Sequence, residues 1–323
     1  MSKAAKLGLF GIMVPRDLGG ASADLRTLVI ATEELGMSSA SMALLISFHN
    51  IVCDALVASN NLESKQALLS KLVSSSLGSL ALDPIPRIIY KTTAKGLVLN
   101  GSLDYVVGAS TANVFMILAK SAGSTDKIIL AFSKDQILKS GGFDVSQVVQ
   151  HLGMKAANAA KIEFRDVKLS SETVMFDESE TPGALDNILA EVRLVIAALA
   201  LGIANVSIRS LAAYARKRPS PKPDTQGSVE DTMALALVNL ETSRCLCYSA
   251  ASRIQSDLSI QRDSAIARVS ASSVALHAAT QLIRISGGQM PNVDQYLRDA
   301  TATQNLIESE SSLRQLIADS ALG

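Results

Sequence analysis

Tryptophan is absent from this 323-residue chain, and aromatic residues make up only 4% of it. A core without large rings must close by other means. Ala and Ser are abundant, and small side chains suit helices packed at short range. Cysteine is also scarce. Cys53, Cys245 and Cys247 form neither a disulfide framework nor a metal-ligand spacing. They read as small core or surface residues in a reducing cytoplasm. Neither sign of charge is in excess, with Lys+Arg 30 against Asp+Glu 30 and no basic block. That excludes the electrostatic footprint of a nucleic-acid binder. The longest apolar run, Leu194 to Ala204, is too short to span a bilayer and reads as a buried core helix, so no membrane partner is expected. The opening Met-Ser-Lys-Ala-Ala-Lys has no apolar signal region. The histidines His49, His151 and His277 are scattered and match no ligand spacing.

What is present is a globular chain, 48% hydrophobic and long enough for two or three packed units. Up to about residue 82 the pattern is helical. Pro15 and Gly19-Gly20 punctuate an entry loop, and a helix over Leu28 to Leu35 stops at Gly36. Met42 to Leu56 is apolar on most sides, and Glu63 to Leu72 is amphipathic. From about 83 the period changes. Short runs at 97–99, 103–107, 114–119, 127–132 and 161–167 are separated by Asn100-Gly101, Gly123-Ser124 and Gly141-Gly142. They predict antiparallel strands joined by hairpin turns, as a sandwich or barrel. After about 183 the spacing is helical again. Val192, Val195, Ile196, Leu199, Ile203 and Val206 share one face. Met233, Leu237, Leu240, Cys247, Ala251 and Ile254 share another, as do Ile266, Val269, Ser273, Leu276, Thr280 and Ile283. With a last helix from about 303 this predicts a four-helix bundle, broken at length only by Pro219-Ser220-Pro221-Lys222-Pro223-Asp224.

Three stretches, in order, carry a resemblance. They are G-L-F-G-I-M-V-P-R-D-L-G-G near the start, L-G-M-K-A-A-N-A-A-K-I-E-F-R-D-V-K-L in the centre, and R-D-A-T-A-T-Q-N-L-I-E-S-E-S-S-L-R near the end. Together they resemble the acyl-CoA dehydrogenase family. The resemblance implies an α+β multidomain fold: an N-terminal helical domain (1–82), a middle antiparallel β-domain (83–170) and a C-terminal four-helix bundle (183–323). Leu7 falls where usual members have already run through further helices. A lysine-bearing helix of the family corresponds to the one holding Lys65.

The resemblance also implies an FAD-dependent oxidoreductase acting on CH–CH bonds, with an acyl-CoA as substrate. Glu308 takes the place of the base that removes the α-proton of the thioester. Such a base must be within hydrogen-bond reach of the carbon and shielded from water. Arg193 takes the place of an arginine close to the acyl tunnel and the base; a helix-surface arginine is the plain alternative. Arg218 corresponds to an arginine reaching the flavin dinucleotide of a neighbouring subunit, and Gln226 to a glutamine downstream of it. Gly287-Gly288 corresponds to a backbone approach to the partner's FAD, and also reads as a helix stop. Tyr105 keeps a ring where the family places a tryptophan against the flavin.

The departures fall on the flavin motifs. The T-E-P-x-x-G-S-D segment reads Leu82-Asp83-Pro84-Ile85-Pro86-Arg87, and Val107 replaces a hydroxyl donor. Ser309 and Glu310 replace Gly-Thr after the base, Arg284 replaces a glutamine, and no Phe-Gly follows Arg218. Glu310 would set a negative charge against a pyrophosphate. Two functional classes stay open: an acyl-CoA dehydrogenase, or a flavin-poor, non-catalytic subunit or scaffold. Family assembly implies an oligomer, either homomeric or with an intact homologue.

Overall fold

A computed structural model describes residues 2–83, 85–148, 151–217, 229–253 and 260–322. Its contacts divide the chain into two units. One comprises Met1–Leu28, Leu45–Gln150 and Lys155–Leu189; the other comprises Val29–Leu44, His151–Met154 and Ala190–Gly323.

The first unit holds α1 (Ser2–Lys6), most of α3 (Ala40–Ala58), α4 (Leu62–Ser74) and a single mixed sheet. Asn61 caps α4 by accepting from the Ser64 amide. Lys65, one turn on, donates to the carbonyls of Val57 (3.1 Å) and Ser59 (2.8 Å). A cation thus meets the carbonyl end of α3, where the helix dipole is negative. His49 of α3 is fully buried. Its Nδ1 accepts from the Gly78 amide at 3.0 Å, so its proton sits on Nε2, 2.8 Å from the Phe10 carbonyl. Burial pushes this imidazole down to about 4, against the pull of that carbonyl.

The sheet has the order β6-β7-β3-β2-β4-β5-β8, with β1 also paired to β4. The strands are β1 (Gly78–Ala81), β2 (Ile88–Thr93), β3 (Gly96–Val106), β4 (Val114–Ser121), β5 (Lys127–Ser133), β6 (Phe143–Val148), β7 (Ala160–Leu169) and β8 (Val174–Phe176). The expectation of antiparallel pairing throughout needs correction, because β1 and β2 both run parallel to β4. They lie in sequence along one edge of β4, interrupted by the segment holding Pro86. The 107–113 connection brings the chain back beside β1 instead of closing a hairpin. Asn100-Gly101 is not a turn either. It lies inside β3, where the register against β7 shifts between Leu99 and Gly101. The Gly123-Ser124 turn does join an antiparallel pair, β4 and β5. Four of the seven phenylalanines, Phe115, Phe132, Phe143 and Phe164, cluster on this sheet with centroids 5.2–6.3 Å apart. A short helix, α5 (Lys134–Leu138), follows β5 behind a capping box from Ser133 and Gln136.

The second unit is helical. It contains most of α2 (Leu25–Ser38) and α6 (Thr181–Ala215), with α7 (Val229–Arg253), α8 (Ile260–Ser286), α9 (Val293–Thr303) and α10 (Glu310–Leu322). Two helices stand where one C-terminal helix was expected, so the four-helix count is corrected. Gly36 does not stop α2. It sits inside the helix, facing α6, where an added Cβ would lie 3.6 Å from Gly202 Cα. A Cβ on Gly202 would come within 2.4 Å of the Glu33 carbonyl. The two glycines let these backbones approach as side chains could not. At the same crossing Glu33 is buried. It accepts from Arg244 (2.6 and 3.0 Å) and from the Tyr248 hydroxyl (2.8 Å) of α7.

Two predicted helix faces also shift. On α8 the large residues Ile266, Val269, Leu276 and Ile283 are only half-buried, and Ser273 and Thr280 are exposed. The buried face is Ser264, Ala265, Arg268, Ala271, Ser272, Ala275 and Ala279. On α7, Leu237 is exposed while Ala236, Leu240, Ser243, Cys247 and Ala250 are buried. In both, most of the buried positions carry small side chains. α3 and α6 are long and apolar enough to cross a membrane by length and composition, yet 83% and 78% of their apolar windows are buried within the protein. Leu194 to Ala204 is buried on every side. The Pro219 to Asp224 break and Ile254 lie outside the described residues.

Two outcomes are expected. Gly202→Val forces a side chain into backbone and should cost about 1–3 kcal/mol or more. Gly183→Ala, with open space around its Cβ position in exposed α6 helix, should gain about 0.4–1 kcal/mol. Denaturant titration of both variants checks this. The second concerns His49. It is neutral when folded down to about pH 4, whereas the unfolded imidazole gains its proton near 6.5. Its contribution is therefore full above 6.5 and lost as pH falls through that window, on the order of 3 kcal/mol in all. Urea unfolding at pH 7, 5.5 and 4 should show the loss, and His49→Leu should flatten it.

Candidate active site at the turn between α9 and α10

The Arg298-Asp299-Ala300 segment lies in α9, and Asp299 is buried there. Its Oδ1 accepts from the Met154 amide at 2.6 Å. Burial raises this carboxyl, with the Met154 amide acting against the rise. Beside it, a Cβ on Gly153 would fall 2.5 Å from the Arg298 carbonyl. Two of the stretches singled out in the sequence, L-G-M and R-D-A, are thus the two halves of one joint. Arg298 itself points outward to Asp294, 2.5 Å away.

α9 ends at Thr303, and the chain turns through 304–309 before α10 begins at Glu310. Glu308 is therefore in the turn, two residues ahead of α10 and not inside a last helix running from about 303. Ile307 has φ +66°, and the Glu308 amide closes back on the Leu306 carbonyl at 2.8 Å. A β-branched residue in that three-residue turn carries strain of about 1–3 kcal/mol. Burial of Leu306 and the contacts of Glu308 hold it in place.

The Glu308 side chain is 9% exposed. Arg193 of α6 grips it with two parallel bonds, Nε to Oε2 at 2.9 Å and Nη2 to Oε1 at 2.7 Å. The third Arg193 nitrogen donates to Gln261 Oε1 at 2.5 Å. A second guanidinium, Arg268 of α8, stands behind. Its Nη1 is 3.6 Å from Glu308 Oε2, and its Nη2 donates to the carbonyls of Leu306 (2.5 Å), Glu308 (2.9 Å) and Thr303 (3.4 Å). Burial brings Arg268 down to about 10; Glu308 opposes that fall and Arg193 adds to it. Arg268 therefore stays charged at neutral pH. Glu310 is engaged elsewhere, accepting from Gln304 at 2.9 Å and from Arg314 of its own helix. Its charge is met locally.

Among the residues singled out in the sequence, Arg193 and Glu308 come together. Gly287 and Gly288 close α8 with φ +60° and +74°, exposed and with open space around them. Tyr105 belongs to β3 of the other unit, and burial pushes its hydroxyl up to about 12. Arg218 and Gln226 lie outside the described residues. Arg268 and Gln261 were missed. The signal for Arg268 was there: a lone arginine on the Ser264, Ala265, Ala271, Ala275 face of α8. Among the described residues no three His, Cys, Asp or Glu gather as a metal site.

Residues 1–76 match the acyl-CoA dehydrogenase N-terminal domain, and residues 183–322 the acyl-CoA dehydrogenase C-terminal domain. The chain is 28% identical to the short-chain-specific acyl-CoA dehydrogenase of Clostridium acetobutylicum over 335 aligned positions, covering 98% of this chain and 87% of that protein. It is 28% identical to an acyl-CoA dehydrogenase of Bacillus subtilis, with the same coverage. The structure of butyryl-CoA dehydrogenase from Megasphaera elsdenii superposes with a TM-score of 0.91 at 22% identity, over 100% of this chain and 89% of that one. On these matches, and on a fold of N-terminal helices, central sheet and C-terminal helices, the chain belongs to the acyl-CoA dehydrogenase family.

Proposed function

We propose that this chain acts on acyl-CoA thioesters by α,β-oxidation linked to FAD, with Glu308 as the base at the α-carbon. The observation that carries the reading is the built surrounding of Glu308: a buried carboxylate on a strained turn, enclosed by Arg193 and Arg268. Glu308 would take the α-proton, and must release at least one oxygen from Arg193 to do so. Arg193 would steady the carboxylate, and the buried surroundings would keep water from it.

The fit to FAD is partial. Gly287-Gly288 offers open backbone, and Tyr105 offers a ring; Arg218 and Gln226 are the further candidates. When bound, FAD supplies the hydride acceptor. The sheet positions offer it little. Val107 is a buried aliphatic side chain whose carbonyl is taken by Ser79 Oγ at 2.7 Å. Asp83 spends its carboxylate on the Ile85 amide (2.9 Å) and on Arg87 (3.4 Å). These observations favour a second reading, a flavin-poor subunit working beside an intact homologue. The homologue, or a second copy, would find an uncharged stripe on α7. Leu235, Val238 and Leu246 are 63%, 61% and 39% exposed there.

Purified alone, the chain should hold FAD weakly. Each missing hydrogen bond costs about 0.5–1.5 kcal/mol, and several together cost orders of magnitude in affinity. Flavin absorbance after gel filtration decides: stoichiometric FAD restores the plain enzyme, whereas none even with added FAD moves the weight to the subunit reading. Glu308→Asp keeps the charge and withdraws it by one methylene, and should cut turnover by about 10²-fold. Glu308→Gln removes the carboxylate in contact with two buried guanidiniums and should also destabilise by about 3–5 kcal/mol. In sedimentation at micromolar concentration the protein should be oligomeric, and Val238→Glu should dissociate it. A stable wild-type monomer would overturn the assembly.

A further inference from the structure

We propose that Arg268 is the positioning residue of the Glu308 turn: one buried guanidinium fixes both the main chain that carries Glu308 and the side chain itself. The inference rests on the reading of Glu308 as the working carboxylate. Arg193 donates to the carboxylate and to Gln261. Arg268 does something different. Its Nη2 gathers three carbonyls, from the last residue of α9, from Leu306 and from Glu308, on either side of the left-handed Ile307. Its Nη1 faces the Glu308 carboxylate.

The chemistry of burial supports an active role over simple filling. Arg268 is 1% exposed, and its Nε and Nη1 have no hydrogen-bond acceptor among the described residues. A charge in that state is expensive, and an apolar side chain of similar length would fill the space at less cost. What an arginine adds is two nitrogens fixed on one plane, Nη2 toward the main chain and Nη1 toward the carboxylate. Main-chain oxygens at the end of α9 and in the tight turn, those of Thr303, Leu306 and Glu308, are met from one point, the Leu306 carbonyl being shared with the Glu308 amide. Strain at Ile307 persists only where surrounding contacts over-determine it, and Arg268 supplies those contacts to the carbonyls flanking it. Position and orientation of Glu308 then follow from a helix, α8, that is itself locked by its small-residue face.

The experiment uses the full-length protein and amide hydrogen exchange, which needs no turnover. In Arg268→Met the Glu308 amide should exchange about 10–100-fold faster, as expected for loss of charge-assisted bonds, while amides in mid-α6 keep their protection. Arg268→Lys, which keeps the charge but not the two fixed nitrogens, should fall between wild type and Arg268→Met. It stands in if the methionine variant does not fold. In protein loaded with FAD and given butyryl-CoA, Arg268→Lys should lower kcat with KM little changed, because the carboxylate and not the binding surface is displaced. Unchanged exchange at Glu308 in a folded variant overturns the proposal. Wild type that turns over no butyryl-CoA, but whose turn opens on substitution, removes the reading of Glu308 as a base and leaves the clamp standing.

Discussion

One carboxylate, Glu308, lies in contact with two buried guanidiniums, Arg193 and Arg268, with Glu310 acting on Arg268 from farther off. Arg193 comes from α6, Arg268 from α8 and Glu308 from the turn after α9, so a single charge cluster ties three helices. Buried ions are costly, and such a cluster is a poor source of net stability. Its value lies in specificity of place. An apolar contact at this junction could slide by a side-chain width; a bidentate pair at 2.7 and 2.9 Å cannot. The second cluster of this unit, Glu33 with Arg244 and Tyr248, works the same way at the crossing of α2, α6 and α7.

Small side chains make these buried ion pairs possible. Without tryptophan, and with four phenylalanines on the sheet, the helices have few large rings with which to fill wide gaps. They close the gaps instead. Gly36 opposes Gly202, and α8 presents Ala and Ser inward. A long arginine can then run between close helices with its stem packed and its head delivered to a defined point. The close packing also accounts for the exposed leucines of α7, since that helix turns its small residues to the core.

The sequence made the order of elements legible because period is a local property. Alternating and helical runs could be read within a few residues, and the buried α3 and the all-round apolar α6 followed from composition. What it concealed was non-local. Parallel pairing of β1 and β2 with β4 depends on where the 107–113 connection leads, and no residue in it announces a crossover. Gly36 looked like a helix stop because an isolated glycine has the same local signature as a close crossing. The large residues of α8 were assigned inward because hydrophobicity alone cannot tell a wide interface from a narrow one. In the site, Glu308 and Arg193 were legible through the resemblance. Arg268 was not, because no local rule predicts a buried charge, though its place in a small-residue face marks it in retrospect.

The two sides of the candidate chemistry have been shaped under different constraints. At the Glu308 turn, strain, burial and charge are all met by specific partners, and the L-G-M to R-D-A joint holds the helix leading into it. At 82–87 and 105–107 the polar groups are turned inward on themselves: Asp83 to its neighbours, Ser79 to the Val107 carbonyl. A site that must receive a large polar ligand keeps donors unsatisfied until it arrives, because each must be desolvated and then recovered. Groups already paired have no such demand left. The surroundings of Glu308 are therefore set by contacts internal to its own unit, and that turn needs no ligand to explain its form. Helix packing sets the surroundings of the Glu308 carboxylate, whereas contacts within the sheet unit hold Asp83 and the Val107 carbonyl.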